Sequence, residues 1–242
     1  QVNTVDQLDL TSPDIPDNSV AVIPIVGEIL SWKSMRLVQW IDQAEANPKI
    51  IAVLFMVNTP GGMVFYTDIA SDFIKKMTKP SVAYVRNMAA SAGIWLISPM
   101  KRIVASSKLD RFGSVGVMAS IMDFTRMLKE KFQIDIFEIY ADKSSKKNFE
   151  MRNLLDSALT MEERTAPIRD DLNYVNEVFH QAIRDNLGIK DDSEIFDGSM
   201  FSAPRAIELG LAHEILDFES AVSLAHQMGL TNTINRFFLT NS

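Results

Sequence analysis

Apolar residues between Val20 and Tyr140 come in short runs broken by turn-formers, and the runs alternate between two periods. The run VAVIPIV from Val20 is β-type. Trp32 to Ala46 then offers Met35, Leu37, Val38, Trp40 and Ile41 at spacings that one helix face can gather. Next comes IIAVLFMV, Ile50 to Val57, continuously apolar and closed by Asn58. A strand with no polar side is buried on both faces, so a sheet covered by helices is expected. The alternation predicts a helix over 67–77, a strand SVAYV over 81–85, a helix over 90–97 and a strand RIVA over 102–105. It continues with a helix over 122–132 and a strand IDIFEIY over 134–140. This rhythm is that of an α/β architecture with largely parallel strands. After Lys143 the pattern turns helical: one long amphipathic helix over 160–187, which Pro167 can break, then short helices over 203–209 and 218–228. Residues 1–18 are acidic, carry Pro13 and Pro16, and read as an extended, loosely held arm. The compact domain is drawn over 19–230 and a C-terminal tail over 231–242.

Composition narrows the classes of function more than it changes the fold. At 242 residues the chain can bury a sizeable core, as one large domain or two small ones. The net charge of −7 argues against nucleic acid as a partner, because phosphate binding needs a basic patch. The absence of cysteine removes disulfides, thiolate metal sites and a cysteine nucleophile together, and leaves the redox compartment unread. No apolar run reaches the roughly 18 to 20 residues that span a bilayer. Any membrane association is expected only through residues upstream of Gln1.

Three turns at the ends of expected strands carry the candidate chemistry, since open α/β sheets place sites there. Asn58-Thr59-Pro60-Gly61-Gly62 follows the most apolar strand, and its glycines permit positive φ and close backbone approach. Met88-Ala89-Ala90-Ser91-Ala92-Gly93 sets one hydroxyl at the start of a helix. There Ser91 is either a nucleophile on a sharp turn or simply the helix N-cap, the commonest duty of a serine at that position. Phe112-Gly113-Ser114-Val115-Gly116 is the third, and alone it is an ordinary glycine turn.

Taken in order, with spacings of roughly 25 to 30 residues, the three turns resemble the signal peptide peptidase A and protein C-type serine peptidases, which share the ββα spiral of Clp proteases and crotonases. That family carries Ser-Pro-Gly-Gly, then Ala-Ala-Ser-Gly-Gly, then Gly-Ser-Ile-Gly-Val. Here Asn58–Gly62, Ala89–Gly93 and Gly113–Val117 correspond. The resemblance runs over about residues 20–217 and includes Phe196-Asp197-Gly198 followed by Ala206 to Leu211. It implies a Clp protease/crotonase-like α/β fold in a single domain with a helical C-terminal part, and hydrolysis of peptide bonds through an acyl-enzyme on Ser91.

A serine hydroxyl needs a base within hydrogen-bond reach. The histidines are His180, His213 and His226, and none lies between Ser91 and Phe179, which disfavours a Ser-His-Asp arrangement. The resemblance implies a lysine from the loop after the strand that follows the third turn, with an aromatic residue six positions on. Lys143 and Phe149 meet that spacing, with Lys146 and then Lys147 as the next choices. Tyr140 stands where the family has glycine, and Ala92 replaces a second glycine of which only the amide is needed. The resemblance further implies Ser114 as the residue that orients the lysine, and the amides of Gly62 and Ala92 as an oxyanion hole. It implies neither cofactor nor metal.

The expected partners are a peptide or protein substrate and further copies of the chain, in a tetramer or larger ring. Trp32, Trp40, Phe237 and Phe238 are candidates for that interface, although core packing is the commoner duty of such residues. Two settings suit the resemblance: degradation of signal peptides, at a membrane or in the periplasm, and capsid or scaffold processing by phage-type enzymes in the cytoplasm. The alternatives are a catalytically silent scaffold or assembly protein, and a crotonase-like acyl-CoA enzyme. The latter class relies on carboxylates, and none pairs with the glycine turns here.

Overall fold

A computed structural model describes residues 8–240 of the chain, with side chains to residue 234. The chain forms two compact units, residues 1–116 with 179–242, and residues 117–178.

The first unit is built on a sheet of seven strands. Its main path runs β1 (Ser19–Val26), β2 (Ile50–Thr59), β3 (Ser81–Ala90), β4 (Arg102–Ala105) and β7 (Glu214–Ile215), all parallel. The second half of β3 leaves β4 and pairs instead with β5 (Arg111–Gly113), which pairs antiparallel with β6 (Met200–Ser202). A buried carboxylate holds this change of partner. Asp110 accepts the N–H groups of Asn87 at 2.7 Å, Ser106 at 2.7 Å and Ser107 at 2.8 Å, and the Ser106 hydroxyl at 2.9 Å. Asn87, at φ +74°, is the residue around which β3 turns.

Every residue from Ile50 to Phe55 is buried, as the apolar run of β2 required. Ala52 and Leu54 of β2 face α8 (Phe218–Thr240), where they pack with Val82, Tyr84, Val104, Ala221 and Ala225. By strand alternation Val53 and Phe55 face the other side, where α1 (Ser31–Ala46), α2 (Thr67–Lys76) and α3 (Ala92–Ile97) lie. The outer edge of β1 is blunted. Ser19 and Gly27 direct their N–H groups toward β2, so even-numbered residues point outward. Pro24 removes one of those donors, and Lys33 Nζ donates to the Val26 carbonyl at 3.3 Å.

Several boundaries differ from the sequence expectation. Residues 8–18 have no regular structure, but Leu10 is buried, its N–H meets Gln43 Oε1 and its carbonyl accepts from Asn47 Nδ2 at 2.8 Å. Helix α8 continues through 231–240 rather than ending at 228. The interface candidates Phe237 and Phe238 lie outside the described side chains. Between α7 (Ala203–Glu208) and the long α6 (Met161–Leu187) the chain forms a single 3-10 turn, Glu194–Asp197. Pro167 sits inside α6 without breaking it.

The second unit holds α4 (Thr125–Phe132), α5 (Phe149–Leu155) and the first part of α6. The strand expected over 134–140 is not formed. No partner strand pairs with it, and a strand without a ladder leaves its amides to water. Its side chains are correspondingly open, with Phe137 83% and Ile139 94% exposed. None of residues 117–178 is buried.

Candidate functional site

The sheet register brings the three turns together. Thr59 of β2 is paired with Ala89 of β3, and Ala90 of β3 with Gly113 of β5. The chain therefore leaves three neighbouring parallel strands at one end of the sheet, through Pro60-Gly61-Gly62, Ser91 and Ser114.

Ser91 is the most strained of these residues. Its backbone is at φ +52° and ψ −123°, a region that a side chain with a Cβ enters at a cost of about 1–3 kcal/mol. Its N–H donates to the Gly113 carbonyl at 2.9 Å, and its own carbonyl accepts from Ile94 at 2.8 Å and Trp95 at 3.2 Å. The residue stands at the N-cap position of α3, yet its side chain makes no capping bond. The hydroxyl is thus left available, and the N-cap reading of Ser91 does not account for it.

Helix α3 is a rigid mount. All six of its residues are buried, Trp95 stacks on Phe179 at 4.8 Å, and the Trp95 carbonyl accepts from the hydroxyls of Ser71 at 3.1 Å and Ser98 at 2.9 Å. The first amide of this helix, that of Ala92, has no intrahelical partner, as helix geometry dictates.

The glycine turn is pressed against Ser91. A Cβ on Gly61, which sits at φ +98°, would stand 2.6 Å from the Ser91 Cβ, so only glycine lets the two segments approach this closely. Thr59 fixes the turn from within: its hydroxyl donates to the Gly27 carbonyl at 2.7 Å and accepts the Gly61 N–H at 3.1 Å. Ile29 fixes it from outside, giving its N–H to Gly61 and accepting from Met63, both at 2.8 Å. In this parallel bridge the bonded groups belong to Gly61 and Met63, so the N–H of Gly62 points away from Ile29. A Cβ on Gly62 would overlap the Ile29 carbonyl. Sequence reasoning missed Thr59 and Ile29. The only available signal was the position of Thr59 within the first turn.

Ser114 is also at positive φ, +53°, and its N–H donates to the Ser199 carbonyl at 2.8 Å. The antiparallel β5–β6 contact thus holds the third turn.

The lysines lie in the second unit, in a loop of successive tight turns closed by Ser144 N–H to Ala141 O at 2.8 Å and Lys147 N–H to Ser144 O at 2.9 Å. Lys146 Nζ sits 4.5 Å from the centre of the Phe149 ring. Arg152 stacks at 4.8 Å over Tyr140, which also bonds Glu138. Lys143 is exposed and has no partner among the described residues. Among those residues no group of His, Asp or Glu could hold a metal, and no helix is long and apolar enough to cross a membrane.

A parallel sheet whose strand ends present a strained serine beside a glycine turn is an α/β fold with one candidate nucleophile at its strand ends. The family model of peptidase family S49 matches residues 74–231, and the chain belongs to that family. It is 25% identical over 222 residues to the capsid assembly protease C of Escherichia phage lambda, covering 86% of this chain and 48% of that protein. It is 24% identical over 229 residues to protease 4 of Haemophilus influenzae, covering 87% and 35%. The chain thus spans about half the length, or less, of these two relatives. Among solved structures a ClpP1 mutant from Listeria monocytogenes superposes with a TM-score of 0.54 at 14% identity, over 85% of this chain and 95% of that one. The likeness confirms the Clp protease-like fold.

Proposed function

We propose that the chain is a serine peptidase in which Ser91 is the nucleophile and Lys143 the general base. The observation that carries this reading is the strained backbone of Ser91 at the head of a buried helix, with a hydroxyl that caps nothing. Lys143 takes the Ser91 proton as Oγ bonds the scissile carbonyl carbon. The amides of Gly62 and Ala92 receive the developing oxyanion. The C–N bond then breaks, the lysine returns the proton to the leaving amine, and a water activated in the same way releases the acyl group. Ser114 orients the lysine. Lys143 is favoured over Lys146 because the latter is engaged with Phe149, and over Lys147 by its spacing to that aromatic residue.

The test is labelling by a fluorophosphonate probe. Wild-type protein is expected to label and Ser91→Ala to lose labelling completely. A folded wild-type protein that does not react would sink the reading. It would favour a silent assembly role, to which Tyr140 in place of glycine gives some support.

The substrates are proteins or peptides, and similarity to a capsid assembly protease and to protease 4 supports both capsid processing and signal-peptide degradation. We further propose a homo-oligomer of four or more copies. A unit of 62 residues with no buried residue gains too little hydrophobic stabilisation to stand alone, and Met118, Met122, Phe137 and Ile139 offer it apolar surface to cover. Light scattering at micromolar concentration is expected to give at least a tetramer; a monomer would count against it.

A further inference from the structure

One buried side chain joins the two segments that carry the proposed oxyanion donors. Thr59 ends β2, is fully buried, and branches at Cβ into a hydroxyl and a methyl that reach different segments. The hydroxyl holds the glycine turn: it donates to the Gly27 carbonyl at 2.7 Å and accepts the Gly61 N–H at 3.1 Å. The methyl lies against the first turn of α3. A Cβ on Gly93 would stand 2.5 Å from Thr59 Cγ2, nearer than unbonded carbons approach, so the methyl occupies the place where a side chain at 93 would begin. Gly62 directly follows Gly61, and Ala92 directly precedes Gly93. The two ends of one side chain thus act one residue away from each donor.

The shape of threonine makes these two holds a single one. Its Oγ1 and Cγ2 sit on the same carbon at a fixed angle, and a β-branched residue has few χ1 settings. The two hydrogen bonds of Oγ1 choose one of them, and with it the position of the methyl. The turn and the helix also meet directly, since a Cβ on Gly61 would stand 3.2 Å from the Ala92 nitrogen. An oxyanion needs both donors at about 2.7–3.1 Å at once, so the spacing of the Gly62 and Ala92 amides must hold to within roughly 0.5 Å. Valine at 59 would keep the shape and lose the turn. Serine would keep the bonds and lose the contact with the helix.

Resting on the peptidase reading, we propose that Thr59 is a positioning residue that sets the spacing of the two oxyanion donors, its hydroxyl acting through Gly61 and its methyl through Gly93.

The test uses the full chain and a fluorophosphonate probe. Ser91 Oγ bonds phosphorus, fluoride leaves, the hydroxyl proton passes to the base, and a phosphoryl oxygen takes the oxyanion's place. Labelling rates are taken against probe concentration and counted per folded molecule, so a purely structural defect leaves the maximal rate unchanged. Thr59→Val is expected to lower the maximal rate about tenfold or more, with the half-saturating concentration and the pH midpoint held, because the donors move and the base does not. A folded Thr59→Val protein with the wild-type rate overturns the proposal. The second arm is a double-mutant cycle. Gly93→Ala should cost about tenfold or more beside Thr59, but under about threefold in a Thr59→Ser background, where the missing methyl leaves room for the new one. Equal costs in the two backgrounds overturn the proposal. The arms use different variants, so if one variant fails to fold the other arm decides. A wild-type protein that does not label sinks the peptidase reading and this inference with it, whereas a labelling wild type with unchanged variants sinks only the role of Thr59.

Discussion

The strand-end turns of the first unit and the lysine loop of the second obey opposite structural logics. Around Ser91 and Gly61 the main-chain N–H groups of Ser91, Gly61 and Ile29 are tied, and a single added carbon on Gly61 or Gly62 would collide with Ser91 or Ile29. Around Lys143 the loop is held by its own turns and by Arg152, which donates to the Ser145 carbonyl, and the Lys143 side chain reaches solvent. A nucleophile and its oxyanion donors must hold position to within a fraction of an ångström, whereas a flexible lysine can be set by whatever closes over it. The first region is held from several sides, and the second is exposed.

The largest expected effect would break this comparison. Labelling rates should fall by about 10²–10⁴-fold in Lys143→Ala, the usual weight of a positioned base, and stay near wild type in Lys147→Ala. Retained reactivity in Lys143→Ala, with loss in Lys146→Ala, would move the base to the residue now resting on Phe149. Next in size is the rigidity of the first unit. Asp110→Ala leaves the N–H groups of Asn87, Ser106 and Ser107 without their acceptor, and should cost about 3–5 kcal/mol in urea denaturation. A cost below 1 kcal/mol would mean that the turn of β3 holds without its carboxylate.

The smallest effect concerns His213, whose Nδ1 lies 3.0 Å from the Ile103 N–H and 3.3 Å from its carbonyl. The shorter contact makes Nδ1 the acceptor. Burial pushes this histidine below its ordinary value and Arg102 adds to that, against the opposing pull of the Ile103 carbonyl and Glu214. The folded state therefore favours the neutral ring. Its contribution is complete above about pH 6.5 and is lost as pH falls through the lowered value. Between pH 7.5 and 5.5 the wild-type urea midpoint should drop slightly more than that of His213→Gln; equal drops would remove His213 from the account.

Much of the first unit was legible because its strands are long or wholly apolar. Ile50–Thr59 and Arg102–Ala105 fall where the pattern put them, and the three turns follow from strand ends. Strands β5, β6 and β7 have three, three and two residues, too few for a period to show. Strands β5 and β6 nevertheless supply the pairing that sets Ser114 beside Ser91. Ile134–Tyr140 shows the converse: its strand-like composition is real, but a ladder needs a second strand that no pattern in one segment can supply. The positive φ of Ser91 was also unreadable, since local sequence favoured an ordinary N-cap, and the strain comes from Gly113 and the glycine turn closing on it.

The strain at Ser91, the proposed nucleophile, sets side-chain chemistry against backbone stability. Glycine at 91 would adopt the same backbone freely, recovering about 1–3 kcal/mol of strain against roughly 0.5–1 kcal/mol of added chain entropy. The serine is therefore the less stable choice at its own site. Folding stability alone does not account for a hydroxyl at this position, whereas the proposed role of Ser91 as nucleophile does.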